Sequence, residues 1–210
     1  MEAKKTKIKA VIFDLGRVLV NVDLTRGLYR YAGIEPDGND VQVMEKFFKD
    51  PLFIGFGTGK LKPQDFHKEI CKRMGIEMDY ETFKRVWCDV FDPMDDIESL
   101  FGKVAERYPV GLLSDLDPLH WEYLQPRLPF LKKIKKPTLS FETGVLKPHP
   151  DSYRIAAQNV GKEAQNCLFI DDRLINVQGA RKAGMQAVRF ENVDKLQQDL
   201  ERWGILGNSQ

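Results

Sequence analysis

Side chains that carry charge or a nucleophilic hydroxyl stand just after the apolar runs of this 210-residue chain. They are Asp14 after residues 11–13, Ser114 with Asp115 after residues 110–113, Lys147 before a predicted helix, and Asp171 with Asp172 after residues 167–170. Carboxylates and hydroxyls can act as nucleophiles, and a lysine can neutralise an anion. If these side chains meet at one place, they provide a site for transferring an anionic group.

The adjacent pair Asp171 and Asp172 is the most informative of these features. Neighbouring carboxylates repel each other unless a positive charge lies between them, and a hard divalent cation with oxygen ligands provides that charge. Taken one at a time, aspartate and serine are also common turn formers and helix caps. The pair therefore indicates a metal site more strongly than Asp14 or Ser114 alone indicates a catalytic one.

Short apolar runs that alternate with helical stretches predict the elements that position these side chains. The predicted strands are residues 8–13, 110–113, 167–170 and 186–190, with a weaker candidate at 138–141. Helices are predicted from Pro150 to Gly161 and after Asp172. This alternation is typical of an α/β protein with a Rossmann-like, doubly wound parallel sheet. In such sheets ligands bind outside the carboxyl ends of the strands, which is where the polar residues fall.

A segment between the first two strands interrupts this alternation, because it has helical periods and turn residues but no convincing strand. Apolar residues recur every four positions at Phe66, Ile70 and Met74, and again at Phe83, Trp87 and Phe91. We therefore predict a small all-helical cap at residues 23–92, inserted after the first strand of a core formed by residues 1–22 and 93–210. Most cap aromatics are expected in its own apolar core, with Phe53 and Phe56 as candidates for lining a substrate pocket.

The charge balance gives no global attraction to nucleic acid or to an anionic membrane. Lysine and arginine total 32 against 31 acidic residues. No stretch approaches the roughly 18 apolar residues of a membrane span. Cys71, Cys88 and Cys167 lie far apart without a C-x-x-C pair, which argues against a disulfide framework and a zinc knuckle. We therefore expect a cytoplasmic protein that binds neither nucleic acid nor membrane; the sequence carries no indication of its oligomeric state.

Four segments resemble, in order, the motifs of the haloacid dehalogenase superfamily. They are Val11-Ile-Phe-Asp-Leu-Gly, Leu113-Ser-Asp, Gly144-Val-Leu-Lys-Pro and Leu168-Phe-Ile-Asp-Asp. The similarity continues into Asn176. The helical insertion after the first motif is similar to the type C1 cap of this superfamily. The Asp-Leu-Gly form resembles the subgroup that includes sugar-1-phosphate phosphatases.

This resemblance implies a phosphatase that acts on a small phosphorylated metabolite, with a sugar phosphate as one candidate. Asp14 would attack phosphorus and form an aspartyl-phosphate, which water would then hydrolyse. Ser114 and the backbone N–H of Asp115 would hold the phosphoryl oxygens. Lys147 would bridge the nucleophile and the phosphate.

The resemblance also implies a magnesium ion, Mg²⁺, as cofactor. Its ligands would be the Asp14 carboxylate, the Gly16 backbone carbonyl and Asp172, with Asp171 bound directly or through water. The physical need is charge compensation, because a carboxylate that approaches a phosphate in a poorly solvated site is strongly repelled. Magnesium and Lys147 together would cancel that charge.

Two positions depart from the motifs of most phosphatases in the superfamily. Gly16 stands where most have a second aspartate, which protonates the leaving oxygen and later activates water; such help is worth about a hundredfold to ten-thousandfold. We therefore expect substrates with good leaving groups, such as sugar-1-phosphates or acyl phosphates, or a substitute such as His120. The simpler expectation for His120 is that it packs or caps a helix. Asp115 adds a carboxylate that would repel phosphate unless its side chain points away or faces the metal.

Two other functions stay open on the sequence alone. A carbon–halogen hydrolase of the haloacid dehalogenase type also uses an aspartate nucleophile without a second aspartate two positions later. That chemistry needs no magnesium, so the Asp171 and Asp172 pair favours the phosphatase. A non-catalytic member that binds a phosphorylated ligand is the third possibility, suggested by the same Gly16.

Overall fold

A parallel β-sheet forms the centre of the fold in the computed structural model, which describes residues 7–94 and 96–207. The strands are β1 (Ala10–Phe13), β2 (Asn21–Val22), β3 (Phe91–Asp92), β4 (Val110–Ser114), β5 (Thr138–Leu139), β6 (Cys167–Asp171) and β7 (Gln186–Arg189). A five-stranded sheet has the order β5, β4, β1, β6, β7, and all its pairings are parallel. In the central strand, Val11 lies opposite Val110 of β4 and Leu168 of β6.

The helices of the described residues are α1 (Leu28–Ala32), α2 (Asp40–Phe47), α3 (Pro51–Gly57), α4 (Pro63–Met74), α5 (Tyr80–Trp87), α6 (Ile97–Ala105), α7 (Pro118–Leu124), α8 (Ser140–Thr143), α9 (Pro150–Val160), α10 (Leu174–Lys182) and α11 (Val193–Arg202). Of these, α6, α9, α10 and α11 cover the two faces of this sheet. Successive side chains of a strand point to opposite faces. Accordingly, Val11 and Phe13 pack with α6 and α11, while Ala10 and Ile12 pack with α9 and α10. The predicted doubly wound α/β class is thus confirmed.

Helices α1 to α5 lie in the predicted insertion, and α1, α3, α4 and α5 share an apolar cluster that Leu119 of α7 joins from the core. Its largest buried members include Phe56, Phe66, Phe83 and Trp87. The cap boundaries at residues 23 and 92 stay a prediction.

The end of the insertion departs from the predicted helical pattern. Helix α5 ends at Trp87, and Phe91 belongs to β3, which pairs antiparallel with β2. Phe91 therefore continues the four-residue spacing of the sequence but lies outside the helix, because backbone pairing with Val22 holds it in an extended conformation. The segment is helical apart from this short strand at its return to the core.

Across the described ranges, no helix combines the length and the apolar character that crossing a membrane requires.

Candidate active site

The predicted site residues meet at the carboxyl edge of the sheet. Asp14 follows β1, Ser114 ends β4 and Asp171 ends β6. The backbone N–H of Asp14 donates to the carbonyl of Ile170 at 2.9 Å, which joins the ends of β1 and β6. A cavity of about 180 Å³ opens at this edge. The predicted residues that line it are Asp14, Gly16, Ser114, Asp115, Lys147 and Asp172.

Lys147 joins the acidic residues of two strands. Its buried Nζ lies 2.8 Å from Oδ1 of Asp14 and 2.8 Å from Oδ2 of Asp171, and it donates to the carbonyl of Leu113 at 3.3 Å. Burial by itself would lower the pKa of Lys147. The carboxylates around it, led by Asp14, outweigh burial and raise that pKa above its ordinary value. Lys147 therefore carries its charge at neutral pH and fixes the position of Asp14.

The Asp14 carboxyl is buried, and its charge is only partly compensated. Burial is the largest cause that raises its pKa well above the ordinary value; Lys147 opposes the rise, while Asp171 and Asp172 add to it. The N–H of Leu15 donates to Oδ1 of Asp14 at 2.7 Å. The cluster thus holds more negative charge than one lysine neutralises.

The acidic cluster has the composition of a site for a hard cation. Carboxylate oxygens of Asp14, Asp171 and Asp172 all lie within 4.8 Å of one another. Burial, and after it the charge of Asp171, raises the pKa of Asp172, so full ionisation is unfavourable without added positive charge. Oxygen ligands are those that Mg²⁺ prefers. The residues present therefore fit the predicted magnesium ion.

Asp171 is held by donors from the protein itself. Its Oδ1 accepts from the N–H of Arg173 at 2.8 Å and from Nδ2 of Asn176 at 3.1 Å. Its Oδ2 accepts from Lys147 at 2.8 Å and again from Asn176 at 3.0 Å. From the sequence, Asn176 is indicated only by the resemblance. Its position on the helix that follows Asp171 is the signal that could have assigned it this role.

The side chain of Asp115 faces the backbone of Lys147. Its Oδ1 accepts from the N–H of Lys147 at 3.0 Å. Its Oδ2 is buried and has no hydrogen-bond partner among the described residues. Burial raises the pKa of Asp115 to about 6, against a weaker lowering by Lys147. Of the two orientations considered from the sequence, the structure supports the one in which this carboxylate does not join the acidic cluster.

We predict that Asp115→Asn stabilises the metal-free protein at neutral pH. A carboxyl whose pKa is higher in the folded than in the unfolded protein lowers the free energy of unfolding once the pH exceeds its unfolded pKa. This loss of stability is complete above the folded pKa, which is about 6 for Asp115. Asparagine keeps an acceptor for the N–H of Lys147 but does not ionise. Because the cavity admits water, we expect a gain of about 1 kcal/mol at pH 7.5 and less at pH 4.5.

Urea unfolding at both pH values measures this difference. Asp65→Asn, at an exposed position of α4, is the matched control and should change stability little at either pH. A loss of stability in Asp115→Asn at pH 7.5 would contradict the assigned charge cost.

Gly16 leaves the cavity without a side chain two positions after Asp14. A Cβ at this position would lie 3.3 Å from Cγ2 of Val22, so a larger residue requires Val22 to shift.

Sequence reasoning missed Arg17 and Arg173, which also line the cavity. Each directly follows a predicted metal ligand, and that adjacency was the available signal.

Asp117 connects the loop after β4 to the cap. Its Oδ1 accepts from the backbone N–H of His120 at 2.9 Å, and its Oδ2 accepts from Nε1 of Trp87 at 3.1 Å. In His120, Nδ1 lies 2.8 Å from Asp117 and Nε2 lies 3.1 Å from the carbonyl of Trp87. Because both ring nitrogens are engaged, these contacts support the packing role of His120 over a role in proton transfer.

Cap residues form the other wall of the cavity. Phe53 and Phe56 both line it, as expected from the sequence.

Ser140, which the sequence does not single out, connects the cap to the core. Its Oγ donates to the carbonyl of Gly57 at 2.6 Å and accepts from the N–H of Leu116 at 2.9 Å. A serine at a helix start carries no distinctive sequence signal. This hydroxyl ties the cap to the loop that follows Ser114.

The fold and this cluster define a Rossmann-like α/β protein with a carboxylate and lysine centre at the carboxyl edge of its sheet. The chain belongs to the haloacid dehalogenase-like hydrolase family, whose profile matches residues 8–184. It is therefore a hydrolase, and the predicted superfamily is confirmed.

Similar proteins cover nearly the whole chain. D-ribitol-5-phosphate phosphatase of Bacteroides thetaiotaomicron is 25% identical over 201 residues, which is 92% of this chain and 97% of that protein. Flavin mononucleotide hydrolase 1 of Arabidopsis thaliana is 24% identical over 97% of this chain and 80% of its own length. A HAD family enzyme from Bacteroides thetaiotaomicron has been solved in complex with magnesium and inorganic phosphate. It is 26% identical to this chain with a TM-score of 0.77, and the match covers 90% of this chain and 98% of that one.

Proposed function

We propose that this protein is a Mg²⁺-dependent phosphatase that hydrolyses a small phosphorylated metabolite through an aspartyl-phosphate on Asp14. The observation that carries the proposal is the position of Lys147, whose ammonium lies 2.8 Å from Asp14 beside the acidic cluster. A lysine at this place lowers the repulsion between a carboxylate nucleophile and an anionic phosphate.

The similar proteins support this class of enzyme. D-ribitol-5-phosphate phosphatase and flavin mononucleotide hydrolase 1 both act on phosphate esters by name. The predicted class, a hydrolase of phosphoric monoesters, is thereby confirmed. Their substrates differ from each other, so the substrate of this chain has to be argued from its own cavity.

In the proposed reaction, a carboxylate oxygen of Asp14 attacks phosphorus, and the bond from phosphorus to the leaving oxygen breaks. Water then attacks the aspartyl-phosphate, which releases inorganic phosphate and regenerates the carboxylate. The hydroxyl of Ser114 and the backbone N–H of Asp115 hold the phosphoryl oxygens. Since Gly16 offers no acid, the leaving oxygen takes its proton from water. An alcohol and phosphate are the products.

The proposed magnesium ligands are the Asp14 carboxylate, the Gly16 carbonyl and Asp172. When bound, the ion would neutralise charge that develops on the phosphoryl group. Asp171 already accepts hydrogen bonds at both oxygens, so we propose that it acts through water and by positioning Lys147.

The cysteines support a cytoplasmic location as part of this proposal. Cys71, Cys88 and Cys167 are buried and unpaired, as is common for proteins of a reducing compartment. The proposed partner is a small phosphorylated molecule.

Removal of the metal tests the proposal against the dehalogenase alternative. Dialysis against EDTA should lower the hydrolysis of acetyl phosphate by at least about a thousandfold, because a bound metal ion contributes several kcal/mol to stabilising the transition state. Adding Mg²⁺ should restore the rate, measured as released phosphate above the non-enzymatic rate. Phosphate release that persists without metal contradicts the proposal. Metal-independent release of chloride from 2-chloropropionate would favour the carbon–halogen hydrolase instead.

A further inference from the structure

The cap presents a carbon surface to the cavity. Its half-buried lining side chains are Leu24, Met44, Phe47, Phe48, Phe53 and Ile54. The rings of Phe47 and Phe53 stack with their centroids 4.1 Å apart. None of the described cap residues that line the cavity has a charged or hydroxyl-bearing side chain. A group that extends from the acidic cluster toward the cap therefore meets aromatic and aliphatic surface.

Two polar groups of cap residues that line the cavity are engaged by the protein. Nε1 of Trp87 donates to Asp117 at 3.1 Å. The carbonyl of Gly57 accepts from Ser140 at 2.6 Å. A ligand hydroxyl could use either of these two groups only by competing with the hydrogen bond that the group already makes.

The charged side chains of the cavity come from the core loops. Arg17 follows Gly16, and Arg173 follows Asp172, so both lie on the loops of the proposed metal ligands. The guanidinium carbon of Arg173 lies 4.2 Å from the ring centroid of Phe48, at the boundary between this charged end and the cap.

Two polar residues of the core, Asp117 and His120, also line the cavity beside the cap. They are engaged with each other and with Trp87. The cavity is therefore polar toward the core loops and mostly apolar at the wall that the cap forms.

This division has opposite consequences for two kinds of phosphate ester. A hydroxyl buried without a hydrogen-bond partner lowers affinity by roughly 5- to 100-fold, and a polyol carries several. For an apolar group, the same transfer out of water raises the affinity. The cavity volume of about 180 Å³ also limits the size of the organic group, since an apolar cavity of about 150 Å³ holds a benzene ring.

We propose that the preferred substrates are monophosphates whose organic part is compact and apolar, such as a single aromatic ring, and not polyol phosphates. This inference rests on the proposed phosphatase function and adds the class of leaving group that the cap selects.

Two esters with primary alcohol leaving groups test this preference. Benzyl phosphate carries a ring and ribitol 5-phosphate carries a polyol, so the missing acid at Gly16 affects both reactions in a similar way. With Mg²⁺ present, we expect kcat/KM to be at least tenfold higher for benzyl phosphate. Acetyl phosphate, which has almost no organic part to contact the cap, reports the phosphatase chemistry separately.

A polar group introduced into the wall should shift this preference. In Met44→Gln, a side chain of similar length brings an amide to the cavity, so the ratio of kcat/KM for benzyl phosphate over ribitol 5-phosphate should fall at least fivefold. Met74→Gln is the matched control, because Met74 is a half-buried cap residue that does not line this cavity. Its ratio should stay within twofold of the unsubstituted protein.

The outcomes separate the two proposals. If acetyl phosphate is not hydrolysed, the proposed function fails and this inference fails with it. If acetyl phosphate is hydrolysed but benzyl phosphate is not preferred at least tenfold, including the case in which neither ester reacts, the inference is overturned and the phosphatase remains. Equal shifts in Met44→Gln and Met74→Gln would also overturn it, because the effect would then not come from the cavity wall.

Discussion

Asp14→Asn is expected to lower the hydrolysis of acetyl phosphate by at least about ten-thousandfold, because the amide cannot form the aspartyl-phosphate. The protein should remain folded. Burial is the largest cause that raises the pKa of Asp14, so the buried site tolerates a neutral side chain of the same shape. Lys147 keeps its contact with Asp171 in this variant. Steady-state rates of phosphate release and thermal unfolding measure the two expectations.

The non-catalytic alternative makes a different prediction for the same variant. If the protein only binds a phosphorylated ligand, Asp14→Asn should leave a low background of phosphate release unchanged. Asp65→Asn is again the matched control and should retain full activity. Asp14→Asn with normal folding and undiminished turnover would refute Asp14 as the nucleophile.

Lys147→Met is expected to affect both activity and stability. Its ammonium lies between Asp14 and Asp171, and methionine leaves these buried carboxyls without a neutralising partner. We expect the rate of acetyl phosphate hydrolysis to fall about a thousandfold. The free energy of unfolding of the metal-free protein at pH 7.5 should fall by about 3 kcal/mol, as for other buried ion pairs from which one partner is removed.

The pH dependence separates charge from packing in this variant. Lys147 lowers the pKa of Asp14, so without it this buried carboxyl takes up a proton more readily and the stability difference should shrink at pH 5. Lys132→Met, at an exposed position, is the matched control and should leave both quantities almost unchanged. A stability loss that is the same at both pH values would show that packing, not charge, is the main contribution of Lys147.

Much of the fold follows from local sequence patterns. The central strands appear as short apolar runs because both of their faces are buried, and the structure places Ala10–Phe13 and Cys167–Asp171 within two residues of the predicted ends. Helix α9 begins at Pro150 and is closed by Gly161, which adopts a left-handed conformation with φ of 71°. Proline and glycine have strong local preferences, so these ends could be predicted.

Where local patterns were ambiguous, pairing with distant residues decided the structure. Phe91 continues a helical spacing in the sequence but lies in a strand, because its partner Val22 is far away in the chain. The orientation of the Asp115 carboxyl also depends on a distant group, the backbone N–H of Lys147.

The sequence by itself determined the α/β class, the order of the motifs and the residue types at the strand ends, because apolar periodicity and turn chemistry are local properties. Only the tertiary structure decided that the ammonium of Lys147 lies between Asp14 and Asp171, and that the cap covers the site with an apolar wall. Distances and burial depend on how separate elements pack, and they set the charge balance and the solvation of the site.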